Sequence, residues 1–375
     1  MDKLAMQQTS SITSPKTRDD RLDFIKAICI ILVLFWHLQP IDVSAPRLQT
    51  YHFDLLLKEA IKFFYLQVTL LGVPAFILVS LYLYFNKLAE HGYQYASTRL
   101  LHLLKLFVFW VSCQIIIVYL VTIPKSIPFS DQFALLAKAI PLRTLLLEGG
   151  PPLPFSGGLS VFYFFSTLIL LTILATVFSV MARNTLLGVT TGALITIGSL
   201  VYFESSSLRG VNVSLLDIRT FMVYIPIAYY FQPGKLGFSK GLLWFTLAGY
   251  ILFSVQDYFL RTQGPFVNVY LRPTIVFGAT ALFYGIKNLQ SWKNSKALSF
   301  LSIYSLGIFA IHKYFQYLSI VMLTPLFEAY GIVKKIPLGE FRVNVQTILI
   351  AILTVSLTFL CVVILDKTPL RKFIR

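Results

Sequence analysis

Arg21-Leu-Asp-Phe-Ile-Lys-Ala-Ile-Cys-Ile-Ile-Leu-Val-Leu-Phe-Trp-His37 reads as a helix built for the interior of a lipid bilayer. Between Lys26 and His37 no charged side chain occurs, whereas Arg21, Asp23 and Lys26 crowd its beginning. Lys26 and His37 are eleven positions apart, which at about 100° per residue is close to three whole turns, so one helix face carries both. Asp23, Ile30 and Val33 share that stripe, and Asp23 and Lys26, three apart, are spaced to pair. The stripe therefore runs from a charged mouth to a histidine roughly 16 Å deeper at the rise of 1.5 Å per residue.

The rest of the chain repeats the apolar theme. Of 375 residues, 57% are hydrophobic and only 13% charged, against about a quarter charged in a soluble domain. Apolar runs of roughly 20 residues, enough to cross the hydrocarbon core as helices, recur at 24–42, 63–85, 100–122, 158–181, 185–203, 216–232, 240–260, 269–286, 299–322 and 343–365. The expected fold class is thus all-α: a polytopic integral membrane protein of about ten transmembrane helices in one bundle. Its organisation reads as a polar N-terminal tail over 1–22, a membrane domain over 23–366 and a basic tail over 367–375. Residues 1–20 are polar, and the first apolar run is longer than a signal-peptide core and lacks a cleavage site.

The net charge of +16 does not indicate nucleic acid, because the basic residues sit in short loops between apolar runs rather than along one stripe. Such loops set topology and meet anionic lipids or substrates. Lys16, Arg18 and Arg21 precede the first run, and Lys367, Arg371, Lys372 and Arg375 follow the last. With an even number of spans, this places both termini in the cytoplasm of a plasma membrane, the inner membrane in a bacterium. The longest outer loop, 123–157, holds Pro124, Pro128 and Pro141 and leads into Glu148-Gly-Gly-Pro-Pro-Leu-Pro-Phe-Ser-Gly-Gly158; a short amphipathic helix is expected around Gln132–Leu147. Cys29, Cys113 and Cys361 lie inside apolar runs and read as small buried hydrophobes, with no metal-ligand or disulfide spacing.

Charges in a bilayer mark cavities or partners, and the sequence concentrates them in three spans. The first carries Lys26 and His37. The third opens with Arg99, His102 and Lys105, where Arg99 and His102 are one turn apart and suit either a phosphate or a topology boundary. The ninth carries Ser305, His312 and Lys313, with Ser305 and His312 seven apart on one face. A start at Ser299 brings His312 to a depth comparable with His37, so the two histidines are expected to share one polar chamber.

These residues resemble the membrane acyltransferase 3 family. Arg21-Leu-Asp-Phe-Ile-Lys26 and the run to Trp36-His37 match its opening signature, a basic residue and a histidine eleven positions on. Gly72-Val-Pro-Ala-Phe76 with Ser80 is similar to its second helix, and Tyr95-Ala-Ser-Thr-Arg99 to the start of its third. Tyr304-Ser-Leu-Gly-Ile-Phe-Ala-Ile-His312 resembles its late-helix signature, and Asp366-Lys-Thr-Pro-Leu370 its ending. The ordered set covers nearly the whole chain. Three positions depart from the pattern: Leu81 follows Ser80 where glycine is common, His102 stands where a second arginine is common, and Val161-Phe-Tyr-Phe-Phe165 replaces a His-Trp pair.

The resemblance implies a stand-alone O-acyltransferase. It would move an acyl group, usually acetyl, from cytoplasmic acyl-coenzyme A to a hydroxyl of a sugar, glycan or lipid-linked acceptor. His37 would be catalytic, as general base or acyl-carrying nucleophile. Arg21, Asp23, Lys26, Arg99, His102, Tyr304, Ser305 and His312 would bind substrate. No metal and no permanently bound cofactor is implied; acyl-CoA is the donor substrate, membrane lipids the surroundings, and no oligomeric state is assigned. The residues also suit a transporter or flippase of an anionic or sugar-lipid substrate, whose mark would be paired broken helices or an internal repeat, and a glycan polymerase, whose mark would be a larger outer loop. The charge flanks make a direct prediction: a topology reporter fused after Arg375 is active in the cytoplasm alone, and activity on the other side refutes the ten-span count.

Overall fold

The computed structural model describes residues 19–40, 59–122, 128–139, 161–208, 219–235, 239–261, 270–289, 295–330, 335–338 and 341–375, with the single positions 124, 126 and 293. All ten apolar runs are helical within these limits. The first is α1, Asp20–Leu38. A π-helical turn, Phe64–Val68, and a 3-10 turn, Thr69–Leu71, lead into α2, Gly72–His91. Next come α3, Gln94–Thr122, and α4, Phe129–Ala139. Helices α5, Tyr163–Met181, and α6, Thr185–Leu208, follow. The sixth run is two short pieces, α7, Arg219–Met222, and α8, Tyr224–Tyr230. Helices α9, Lys240–Arg261, and α10, Pro273–Lys287, form an adjacent pair. The ninth run is α11, Lys296–Ile303, and α12, Ser305–Ala329; the tenth is α13, Val345–Asp366.

The protein is an all-α polytopic membrane protein, and among the described residues seven helices are long and apolar enough to cross a bilayer on their own. The other three runs fall short for visible reasons. Four charged residues stand at the head of α1, the sixth run is split at Val223, and α10 has only fifteen residues. A two-stranded antiparallel hairpin also joins α12 to α13: β1, Lys335–Leu338, pairs with β2, Phe341–Asn344, in the register Lys335↔Asn344. The helix expected around Gln132–Leu147 is α4; 140–147, and the Glu148–Gly158 stretch, lie outside the described residues.

Helix α1 is the central post, packed against α2, α10, α11 and α12. Its start is fixed by Asp19, whose carboxylate accepts the Arg21 N–H at 3.1 Å, with Asp20 and Asp23 in the first turn where the helix dipole favours negative charge. Burial acts to raise the Asp19 carboxyl, but hydrogen bonds from Lys287 and Arg21 prevail and hold it below its ordinary range. The helix stops four residues earlier than its apolar run. Gln39 adopts a left-handed conformation, φ 40°, and its N–H caps the Phe35 carbonyl at 3.0 Å, with Pro40 next in sequence. Close packing against α2 needs Gly72, because a Cβ there would meet the Cys29 carbonyl oxygen at 2.8 Å and Leu32 Cβ at 3.1 Å.

The ends of the bundle differ in their ties. At the end holding Asp19, here the near end, Asp19 pairs with Lys287 and Tyr284 donates to the Ser239 carbonyl. The segment read as a basic tail folds back there. Residues Pro369–Phe373 form a 3-10 turn, Phe373 stacks on Phe109 at 4.0 Å, and the Ile374 carbonyl accepts the Gly307 N–H at 3.1 Å. That N–H lies in the first turn of α12 and has no partner within the helix. Asp366 receives Arg375 at 2.6 Å and the Tyr304 hydroxyl at 2.8 Å.

At the far end, Arg272 is 1% exposed, and its guanidinium reaches Asp257 at 2.9 Å, Gln67 at 3.2 Å and the Leu66 carbonyl at 2.8 Å. The π turn spaces carbonyls differently from an α-helix, and Leu66 lies inside it. The Thr274 hydroxyl completes the Asp257 shell at 2.7 Å. The sequence reading confined charge within the spans to the first, third and ninth; this pair adds the seventh and eighth. We predict that Asp257→Ala, which strands a buried guanidinium, destabilises the protein by about 3–5 kcal/mol. Arg272→Met with Asp257→Leu is expected to recover much of that loss in thermal unfolding of the detergent-solubilised protein. Equal melting of wild type and Asp257→Ala contradicts the assignment.

Candidate functional site

The stripe on α1 is one continuous wall with three levels. Lys26 lies at the near level, Cys29, Ile30 and Val33 at the middle, and His37 at the far level. Helix α12 mirrors this order, with Ser305 and Leu306, then Phe309, then Lys313.

The near level is a cavity of about 410 Å³ between α1, α2, α3, α5 and the α11–α12 break. Its charged lining is Lys26, Arg99 and Arg375, with His102 at the edge. Asp23 is buried behind Lys26 and does not line the space. Its carboxylate accepts Lys26 Nζ at 3.4 Å and the Ser302 hydroxyl at 2.9 Å, which ties α1 to α11. Arg99 donates to Ser80 Oγ at 2.8 Å while its buried Nε has no partner among the described residues. A guanidinium held from one side with a donor unspent is what an anion site requires. Described hydroxyl groups in the wall include Ser80, Tyr84, Tyr95 and Ser302.

Two residues expected to bind substrate are engaged elsewhere. Arg21 donates to Asp19 and, at 3.2 Å, to the Lys287 carbonyl, and it is not part of the cavity lining. Tyr304 breaks the ninth run between α11 and α12, and its hydroxyl goes to Asp366 rather than into the cavity. Ser305 does line the cavity, with its hydroxyl given to the Ser302 carbonyl at 3.0 Å.

At the far level His37 and His312 come together, their ring centroids 5.0 Å apart and their planes tilted by 37°. His312 is fully buried. Its Nδ1 lies 2.8 Å from the Phe309 carbonyl and 3.1 Å from the Ile308 carbonyl. Carbonyls only accept, so Nδ1 carries the hydrogen, and in the neutral ring Nε2 holds the lone pair. That Nε2 is buried and has no hydrogen-bond partner among the described residues. His37 is half-buried, and Gln316 Nε2 anchors its backbone carbonyl at 2.9 Å. It borders a second cavity of about 340 Å³ with Trp36, Gln39, Lys313, Gln316 and Tyr317. A paired imidazole, two amides, an ammonium and two aromatic rings suit a hydroxylated, polar ligand.

Of the residues expected to act at a site, the structure places Lys26, Arg99, His102 and Ser305 on the near cavity, His37 on the far one, and His312 against His37. Sequence reasoning missed Arg375, whose place follows from the fold-back of 369–375. It also missed Gln316, although a residue four beyond His312 is a helix-face neighbour and that spacing was a usable signal. A protein-family model described as an acyltransferase domain matches residues 19–367. No curated protein and no solved structure matches the chain.

Proposed function

Because this chain belongs to the acyltransferase 3 family, a family of membrane acyltransferases, we propose that it is an O-acyltransferase using acyl-coenzyme A. The acyl group is acetyl in the first instance, and the acceptor is a hydroxyl of a sugar, glycan or lipid-linked glycan. The observation that carries this reading is the single face of α1, which presents Lys26 to one cavity and His37 to the other. In a plasma membrane with both termini cytoplasmic, the near cavity faces the coenzyme A pool and the far cavity faces the outer acceptor.

The chemistry follows from the groups present. The anionic nucleotide end of coenzyme A sits against Lys26, Arg99 and Arg375, whose charge is only partly compensated. The thioester reaches the histidine pair. Rotation of the rings to bring the His312 lone pair to one N–H of His37 leaves the other His37 nitrogen as a base. His37 takes the acceptor hydroxyl proton as that oxygen bonds to the thioester carbon. The carbon–sulfur bond breaks, and the coenzyme A thiolate receives the proton. If His37 instead takes the acyl group first, its nitrogen bonds to the thioester carbon as the carbon–sulfur bond breaks; the acceptor oxygen then bonds to that carbon as the nitrogen–carbon bond breaks, and the hydroxyl proton goes to the coenzyme A thiolate. Trp36 and Tyr317 offer ring faces, and Gln39 and Gln316 amides, to a sugar-like acceptor.

Two experiments test this. His37→Gln keeps hydrogen bonding but accepts no proton at neutral pH, so transfer by purified protein is expected to fall by about 10²–10⁴-fold. His312→Ala is expected to fall less. Near wild-type turnover by His37→Gln removes His37 from the chemistry; mass spectrometry of glycans and lipids from a deletion strain, seeking a lost acyl mass, identifies the acceptor. For the donor, Lys26→Ala and Arg99→Ala are each expected to raise the KM for acyl-coenzyme A by about ten-fold or more, the size of one charged hydrogen bond. Arg21→Ala, already tied to Asp19 and Lys287, should change it little. The reverse ranking moves the donor site away from the near cavity.

A further inference from the structure

The two cavities are separated by a ring layer, and every step across it is short. Phe76 of α2 meets Phe164 of α5 edge-on at 5.5 Å, and Phe164 meets Phe309 of α12 at 5.1 Å. Phe309 lies 6.2 Å from the His312 ring, which lies 5.0 Å from His37. Phe76, Phe164 and Leu306 line the near cavity and also a small void adjoining it. That void measures about 10 Å³, room for at most one water. Its remaining lining is Cys29, Ile30, Val33, Val73 and Phe309, so no oxygen or nitrogen side chain greets a polar occupant.

A donor bound in the near cavity therefore faces a narrow apolar neck before the histidine pair. Passage requires at least one of the three rings to swing aside, and the space so released is the space in which the acyl group must lie. Each added methylene needs further displacement in packing that already has ring-on-ring contacts. We propose that Phe76, Phe164 and Phe309 form an acyl-length filter and gate, which restricts the donor to short-chain thioesters and keeps the two cavities dry from each other between turnovers. This rests on the reading of the near cavity as the acyl-coenzyme A site.

Cys29 provides a readout independent of turnover, since it lines the void and is fully buried. In protein carrying Cys113→Ser and Cys361→Ser, reconstituted in nanodiscs, N-ethylmaleimide is expected to label Cys29 slowly, and markedly faster once Phe164→Ala is added. Turnover of acetyl-, butyryl- and octanoyl-coenzyme A is measured in parallel. Wild type is expected to favour acetyl over butyryl by about ten-fold or more, the scale on which a pocket resolves methylenes; Phe164→Ala and Phe309→Ala should approach parity. Phe164→Leu serves if the alanine variants fail to fold. Equal Cys29 labelling in wild type and Phe164→Ala overturns the gate. Faster labelling with unchanged chain-length preference overturns the filter alone. Absence of turnover with every thioester, in wild type as in the variants, overturns the transferase reading instead, and the labelling then still reports whether the neck is closed.

Discussion

A charged side chain on a helix enclosed by other helices must have a partner or a wet cavity, because hydrocarbon offers neither. Helix α1 meets this constraint at both ends, and the rest of the molecule is arranged around how it does so. Asp23, itself held by the Ser302 hydroxyl, takes up one side of Lys26, and the near cavity takes the other. At the far level His37 has His312 beside it and the second cavity in front. Between these levels α1 is wholly apolar and packs at backbone distance on Gly72. Polar ends and a dry middle turn one helix into a divider with a site on either side of it.

The membrane fold was legible because hydropathy needs only the local sequence. Ten apolar runs became helices, and the α1 stripe kept the order that its period implied. Helix ends were less legible, since they depend on single residues: Gln39 in a left-handed turn before Pro40 ended α1 early, and Tyr304 split the ninth run. The meeting of His37 and His312 was readable from comparable depth alone. Which way each side chain turned was not. Arg21 and Tyr304 look as suited to a substrate as Arg99 does, yet their partners, the Lys287 carbonyl and Asp366, are more than sixty positions away and leave no periodic trace.

The same holds for the Asp257–Arg272 pair. Fifteen positions separate the two residues, on different helices, and their ties to Gln67 and the Leu66 carbonyl reach back across some two hundred more. Helical periodicity describes one helix at a time, so a pair whose registry is set by a π turn elsewhere escapes it. Its burial and its hydrogen bonds make it a rivet for the far end, where the aromatic rings Phe35 and Phe64 also meet, 5.6 Å apart.

The fold-back of residues 369–375 has a consequence for biogenesis. Arg375 is part of the near cavity's wall, Phe373 covers Phe109, and the Ile374 carbonyl satisfies a helix-terminal N–H at Gly307. These residues follow every other wall residue in the order of synthesis. While the helices are being threaded into the bilayer, the near cavity is open-sided and the first turn of α12 lacks a partner for Gly307. The wall of the near cavity is completed only when residues 369–375 dock, later in synthesis than every helix that lines it.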